Sequence, residues 1–329
     1  MSEVDGSPAF DGRSIPAPAR EDIWHAPDGH PIRRIDWPRP EVARGALLFM
    51  PGRGDCYEKY LIVLHSWYEA GWQVTAIDWR GQGRSGRLGT DPKTGHIDDF
   101  GGWLDDFEAF WSQWNAGSRL PRVIVGHSMG GHLALRAVAE RHVDADALVL
   151  IAPMLGLNPG WIPTGTLHPL GRVIAGLGDR RRPAWKASEL PLTVAAARMD
   201  LLTHDEALYA DEAWWYEQRP DLGTGPPSWG WIVAAIASIR VLERRGMLES
   251  VTMPVLVMGT RADRLVSWRA IVRAVSRLPN ADLLTFGPEA RHEILRETRE
   301  VRDRAMKAID EFLDRRLATS RSILSVPGT

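Results

Sequence analysis

A single cysteine, Cys56, stands among the 329 residues. That excludes an intramolecular disulfide and any multi-cysteine metal cluster, and it suits a reducing compartment. An excess of charge of one sign is missing as well. Forty Lys and Arg against forty-two Asp and Glu leave a formal charge of -2, and no domain-sized stretch is strongly basic, which argues against a nucleic-acid partner. The one basic run, Arg180-Arg181-Arg182, reads as a solvated loop. Long hydrophobic runs are absent: the most apolar stretch, Trp229 to Ile239, ends at Arg240, short of the ~18 apolar residues of a spanning helix. Residues 1–20 are rich in Pro, Gly, Ser and Asp and lack the basic start and apolar stretch of a secretory signal. They are expected to be a flexible tail, and the protein to be cytoplasmic.

What is present is the composition of an ordinary globular protein, 44% hydrophobic and 25% charged, enough to build a sizeable core. From Ile23 to Gly156 short apolar runs alternate with helix-like stretches, the pattern of a largely parallel sheet wrapped by helices. A hairpin is expected at Ile23–Ala26 and Ile32–Trp37. Strands follow at Ala46–Met50, Gln73–Ile77, Arg122–Val125 and Ala147–Ile151, with helices at Glu58–Ala70, Phe100–Trp114 and Met129–Arg141. The rhythm then breaks. Residues 155–245 are rich in Pro, Gly and Trp (Trp161, Trp185, Trp214, Trp215, Trp229, Trp231) and read as a helical cap. Alternation resumes with Val255–Met258, a helix Trp268–Leu278, a strand Asp282–Phe286 and a helix Glu300–Arg316. The domain reading is therefore an α/β core of 21–154 and 246–320 carrying a cap of 155–245.

Chemistry enters at Gly126-His127-Ser128-Met129-Gly130, which directly follows the strand Val123-Ile124-Val125 and opens a helix. At a strand-to-helix turn, G-x-S-x-G is a nucleophile elbow: small residues let a strained backbone present the serine hydroxyl above the sheet. A serine needs a base and a group to orient it, and on this fold they follow in the order Ser, Asp or Glu, His. Asp263 lies just beyond the strand Val255–Met258, and His292 is the only histidine after it. The competing acids Asp200 and Asp205, and the histidines His127, His132, His168 and His204, do not satisfy both order and strand-end placement. Two backbone donors are required for the oxyanion: Met129 supplies one, and Arg53, in Pro51-Gly52-Arg53-Gly54 after the strand Ala46–Met50, is the candidate for the other. Gly81-Gln82-Gly83-Arg84-Ser85-Gly86 has the shape of a dinucleotide fingerprint, yet it leads into Leu88-Gly89-Thr90-Asp91-Pro92, which cannot open the required helix.

With these residues in place, the chain resembles an α/β-hydrolase of the monoacylglycerol lipase and lysophospholipase family. The elbow Gly126 to Gly130, the loop Asp78 to Ser85, Gly95-His96-Ile97, Asp263 with Val266, and His292-Glu293-Ile294-Leu295 carry the likeness. Leu202-Thr203-His204-Asp205 and Pro227-Ser228-Trp229-Gly230-Trp231 are similar to the bacterial lysophospholipase-like branch. One departure stands out: many relatives carry His-Gly where this chain has Pro51-Gly52. A few residues on, Asp55 and Lys59 are expected to pair with each other.

The resemblance implies a serine ester hydrolase for monoacylglycerols or lysophospholipids, with Ser128, Asp263 and His292 catalytic and no metal or organic cofactor. Trp229, Trp231, Ile232 and Ile236 are candidates to line an acyl tunnel or touch a bilayer, with packing onto the core as the plainer role. Alternatives are a small-ester hydrolase, an acyltransferase or a carbon–carbon hydrolase on the same triad, and a non-catalytic binding protein of the same fold.

Overall fold

The computed structural model describes residues 10–158, 169, 171–173, 175–185 and 198–324. One eight-stranded sheet runs in the order β1-β2-β4-β3-β5-β6-β7-β8. Its members are β1 (Arg20–His25), β2 (Pro31–Asp36), β3 (Gly45–Met50), β4 (Trp72–Ile77), β5 (Arg122–His127), β6 (Ala147–Ile151), β7 (Val255–Thr260) and β8 (Ala281–Phe286). The hairpin β1–β2 joins β4 antiparallel, and every pairing from β4 to β8 is parallel.

The central strands are buried on both faces, which is why they read as unbroken apolar runs. Side chains still alternate. Leu48, Met50, Ile124, Leu148 and Leu150 point into one core cluster, which α2 (Gly101–Trp114), α3 (Met129–Ala139) and α6 (Trp268–Val275) cover. Leu47, Phe49, Val123, Val125, Val149 and Ile151 point into the other, under α1 (Leu61–Glu69) and α7 (Arg299–Leu324). The helix expected from Glu58 opens instead as a 3-10 turn, Tyr57–Tyr60, and α7 continues past Arg316 to Leu324.

Between β6 and β7 the described residues hold α4 (Glu206–Gln218) and α5 (Trp229–Glu243) and no strand, only isolated bridges such as Pro183 with Ser228. Asp205 caps α4 by accepting from the Leu208 N–H, and Ser228 caps α5 by accepting from Trp231. Trp161 and His168 lie outside the described residues. No helix among the described residues is long and apolar enough to cross a membrane.

The expected flexible tail is corrected for residues 10–19. The Phe10 ring lies 5.2 Å from the His65 ring in a tilted contact, Arg13 pairs with Asp211 at 2.6 Å, and the Trp215 indole donates to the Gly12 carbonyl at 2.9 Å. A polar composition suggested fraying, but these few side chains find partners on α1 and α4 that are remote in sequence.

Candidate active site

Ser128 sits at the sharp turn from β5 into α3 with φ 52° and ψ -115°, a conformation that costs a non-glycine residue about 1–3 kcal/mol. The neighbouring glycines make the turn sterically feasible. A Cβ on Gly126 would lie 2.6 Å from the Gly131 Cα, and one on Gly130 would lie 2.2 Å from the Met50 carbonyl oxygen. The parallel strands thus deliver three side chains to one edge: Ser128 after β5, Asp263 after β7 and His292 after β8.

They meet in a line. The Ser128 hydroxyl donates to His292 Nε2 at 2.9 Å, and His292 Nδ1–H donates to Asp263 Oδ2 at 2.7 Å. Asp263 being a carboxylate acceptor assigns the proton of the neutral imidazole to Nδ1. Its other oxygen accepts from the N–H groups of Leu265 and Val266 at 2.8 and 3.0 Å, which fixes the carboxylate's orientation. Burial works against charge on Asp263, but His292 and these N–H groups outweigh it and hold the carboxyl below its usual range. Burial likewise works against a proton on His292, yet Asp263, then Glu293 and Asp55, prevail and raise it above the ordinary imidazole value.

The loop after β3 lies against the elbow: a Cβ on Gly52 would stand 3.2 Å from the Ser128 Cβ. Asp55 Oδ2 accepts from the Gly52 N–H at 3.1 Å, and the Gly54 N–H donates to Gln82 Oε1. Among the described residues, the main-chain N–H groups of Arg53 and Met129 donate to no acceptor, which leaves both available to a developing oxyanion.

A profile of the Hydrolase_4 family, described as serine aminopeptidase S33, matches residues 41–299. The chain belongs to this serine hydrolase family. Lysophospholipase L2 of Escherichia coli K12 is 31% identical over 304 residues, covering 88% of this chain and 85% of that protein. Monoacylglycerol lipase of Mycolicibacterium smegmatis is 27% identical, covering 79% and 85%. Among solved structures, a soluble variant of monoglyceride lipase from Saccharomyces cerevisiae superposes with a TM-score of 0.72 at 18% identity, covering 92% of this chain and 96% of that one. The α/β-hydrolase fold expected from the sequence is the fold of these neighbours.

Around this hydrolase site lies a buried ionic network that sequence reading caught only in part. Lys59 pairs with Asp55 at 2.5 Å as expected, but also with Glu293 at 2.6 Å and with Glu212 of α4 at 3.2 Å. Arg296 joins Glu212 at 2.9 Å and also bonds Glu293. His127, the variable residue of the elbow, lies 3.2 Å from Asp55 Oδ2 and 2.9 Å from the Tyr60 hydroxyl, and donates to the His292 carbonyl at 3.3 Å. The oxyanion-side loop, the elbow, the histidine loop and α4 are therefore joined through buried charge. Glu293 was visible beside His292, whereas nothing in the polar sequence of α4 marks Glu212.

The competing residues have other partners. Asp200 pairs with Arg264 and Arg291, His204 with Glu297, and His132 with the Ser238 hydroxyl at 2.6 Å. Of the expected lining residues, Trp231 packs into the core cluster with its ring 5.7 Å from Phe100, and Ile232 packs against the same cluster. Ile236, 3% exposed, is buried outside both clusters, and Trp229 is half-buried. Among the described residues no group of three or more His, Cys, Asp or Glu is placed to hold a metal ion.

Proposed function

We propose that this chain is a serine carboxylic-ester hydrolase for single-chain acyl lipids, monoacylglycerols or lysophospholipids. The Ser128–His292–Asp263 line carries the reading. Ser128 attacks the ester carbonyl as His292 takes its proton, and the imidazolium then protonates the leaving alcohol. Asp263 holds the ring and stabilises its charged form. The N–H groups of Met129 and Arg53 receive the oxyanion, and water activated by His292 releases the fatty acid from the acyl-enzyme.

The lipid part draws support from the names of the relatives, a lysophospholipase and a monoacylglycerol lipase. Residues 155–245 act as a cap over the site, with Trp229, Trp231, Ile232 and Ile236 on α5 as lining candidates. Contact with a membrane surface belongs to the same proposal: Val173, Leu177 and Trp185 are exposed at 63%, 73% and 57% on either side of Arg180-Arg181-Arg182, an apolar and cationic combination suited to an anionic bilayer.

The family description names an aminopeptidase, which supplies a second reading to test. Fatty-acid release from a 1-monoacylglycerol and a lysophosphatidylcholine of equal chain length, beside cleavage of an aminoacyl-naphthylamide, separates the two. Lipid turnover that disappears in Ser128→Ala is the expected result. Turnover of the naphthylamide with neither lipid touched would overturn the ester reading, and turnover of short soluble esters alone would remove its lipid part.

A further inference from the structure

Resting on the acyl-lipid reading, we propose that the Arg53 side chain selects substrates with a phosphate-bearing head group, so that a lysophospholipid is preferred over a neutral monoacylglycerol. The residue sits where both ends of such a molecule would lie. Its main-chain N–H belongs to the loop packed against Ser128, and its guanidinium extends to the segment before α5. There Nη1–H donates to the Gly225 carbonyl at 3.0 Å and the guanidinium carbon lies 5.7 Å from the centre of the Trp231 ring.

Its electrostatic situation differs from that of its neighbours. Arg33 has Glu58 and Asp78, Lys59 has Asp55, Glu293 and Glu212, and Arg296 has Glu293 and Glu212. Among the described residues Arg53 has no carboxylate partner. Burial, reinforced by the nearby charge of Arg198, pushes the guanidinium down to about 10, with Asp55 opposing from a distance. Asp55 is already engaged by Lys59, Tyr60 and the Gly52 N–H. A guanidinium has five donors, and the bond to Gly225 uses one. A half-buried cation with free donors and no counter-charge among the described residues is less stable than a paired one until an anion arrives, and a phosphodiester matches the guanidinium fork in charge and geometry. In a lysophospholipid the phosphate lies one glycerol from the scissile ester, a span comparable with the reach of an arginine side chain from its own N–H. One residue can therefore meet the oxyanion with its main chain and the head group with its side chain.

A purely mechanical role, latching the loop to the α5 segment, predicts a different result. The experiment measures kcat and KM for a lysophosphatidylcholine and a 1-monoacylglycerol of the same chain with wild type, Arg53→Gln and Arg53→Lys. The expected wild-type preference is for the lysophospholipid. Arg53→Gln should shrink the ratio of the two kcat/KM values by at least about tenfold, mainly through KM, with part of the ratio restored by Arg53→Lys. A ratio that Arg53→Gln leaves unmoved, whether both substrates fall together or neither changes, overturns the proposal while the lipid reading stands. A wild-type preference for the monoacylglycerol also overturns it. Wild type that cleaves short esters but neither lipid overturns the lipid reading, and this inference with it.

Discussion

The sheet and the insertion between β6 and β7 are held by different forces. Strands β3, β5, β6 and β7 are buried almost throughout, and apolar packing on both faces fixes where their ends, and so Ser128 and Asp263, must stand; His292 follows β8, a half-buried edge strand that pairs with β7. The insertion shares some of this packing through Trp231, Ala234, Ala235 and Leu242 of α5, but at the site it is fastened by directional polar contacts. Glu212 binds Lys59 and Arg296, the Thr203 hydroxyl donates to the Arg296 carbonyl, the Glu293 N–H donates to the Leu202 carbonyl, and Ser238 meets His132. Apolar packing makes a rigid platform for the reacting groups. Charge and hydrogen bonding attach the insertion beside it, and such contacts depend strongly on both partners being present.

The largest test of this contrast is Ser128→Ala, which removes the covalent step from the platform. It should lower kcat by about 10^4-fold or more with folding unchanged, as read by ester turnover beside a thermal melt. Retained turnover would move the chemistry away from the elbow.

Next is Lys59→Met, which leaves Asp55, Glu293 and Glu212 buried without their shared cation. A loss of about 3–5 kcal/mol in urea unfolding is expected. A loss below about 1 kcal/mol would mean that the ionic network does not fasten α4, and the contrast would fail there.

A smaller effect is expected from Ile236→Ala. If this face of α5 meets the acyl chain, kcat/KM for long-chain esters should fall about threefold to tenfold more than for short-chain ones. An equal fall for both would assign Ile236 to packing.

The smallest effect concerns the proton. His292 is held above the ordinary value of about 6.5, and only neutral imidazole can accept the serine proton, so kcat/KM should climb with pH through an inflection above that value. Glu293→Gln removes one of the charges that retain the proton, and the inflection should move to lower pH by less than about one unit. A shift upward would show that Glu293 acts on His292 through position rather than charge.

Much of this was readable from the chain alone, and the reason is local. Runs such as Ala147–Ile151 are apolar because both faces of the sheet are covered, and the elbow motif needs only its own glycines and the following helix to form. The fold and the order of Ser128, Asp263 and His292 follow from such signals. Lys59 shows the limit: its pairing with Asp55, one helical turn away, could be anticipated from spacing, but its bonds to Glu293 and Glu212 could not. The packing of Phe10 and Arg13 onto α1 and α4 was hidden in the same way.

The lack of a carboxylate partner for Arg53 among the described residues belongs to tertiary structure for a related reason. Sequence places an arginine after Pro51-Gly52, but whether a carboxylate comes within reach depends on how the insertion settles over the loop. Periodicity and motifs record contacts between near neighbours and the face a segment must bury. The balance of buried charge is decided by groups hundreds of residues apart, and a single carboxylate or guanidinium leaves no periodic trace in the chain.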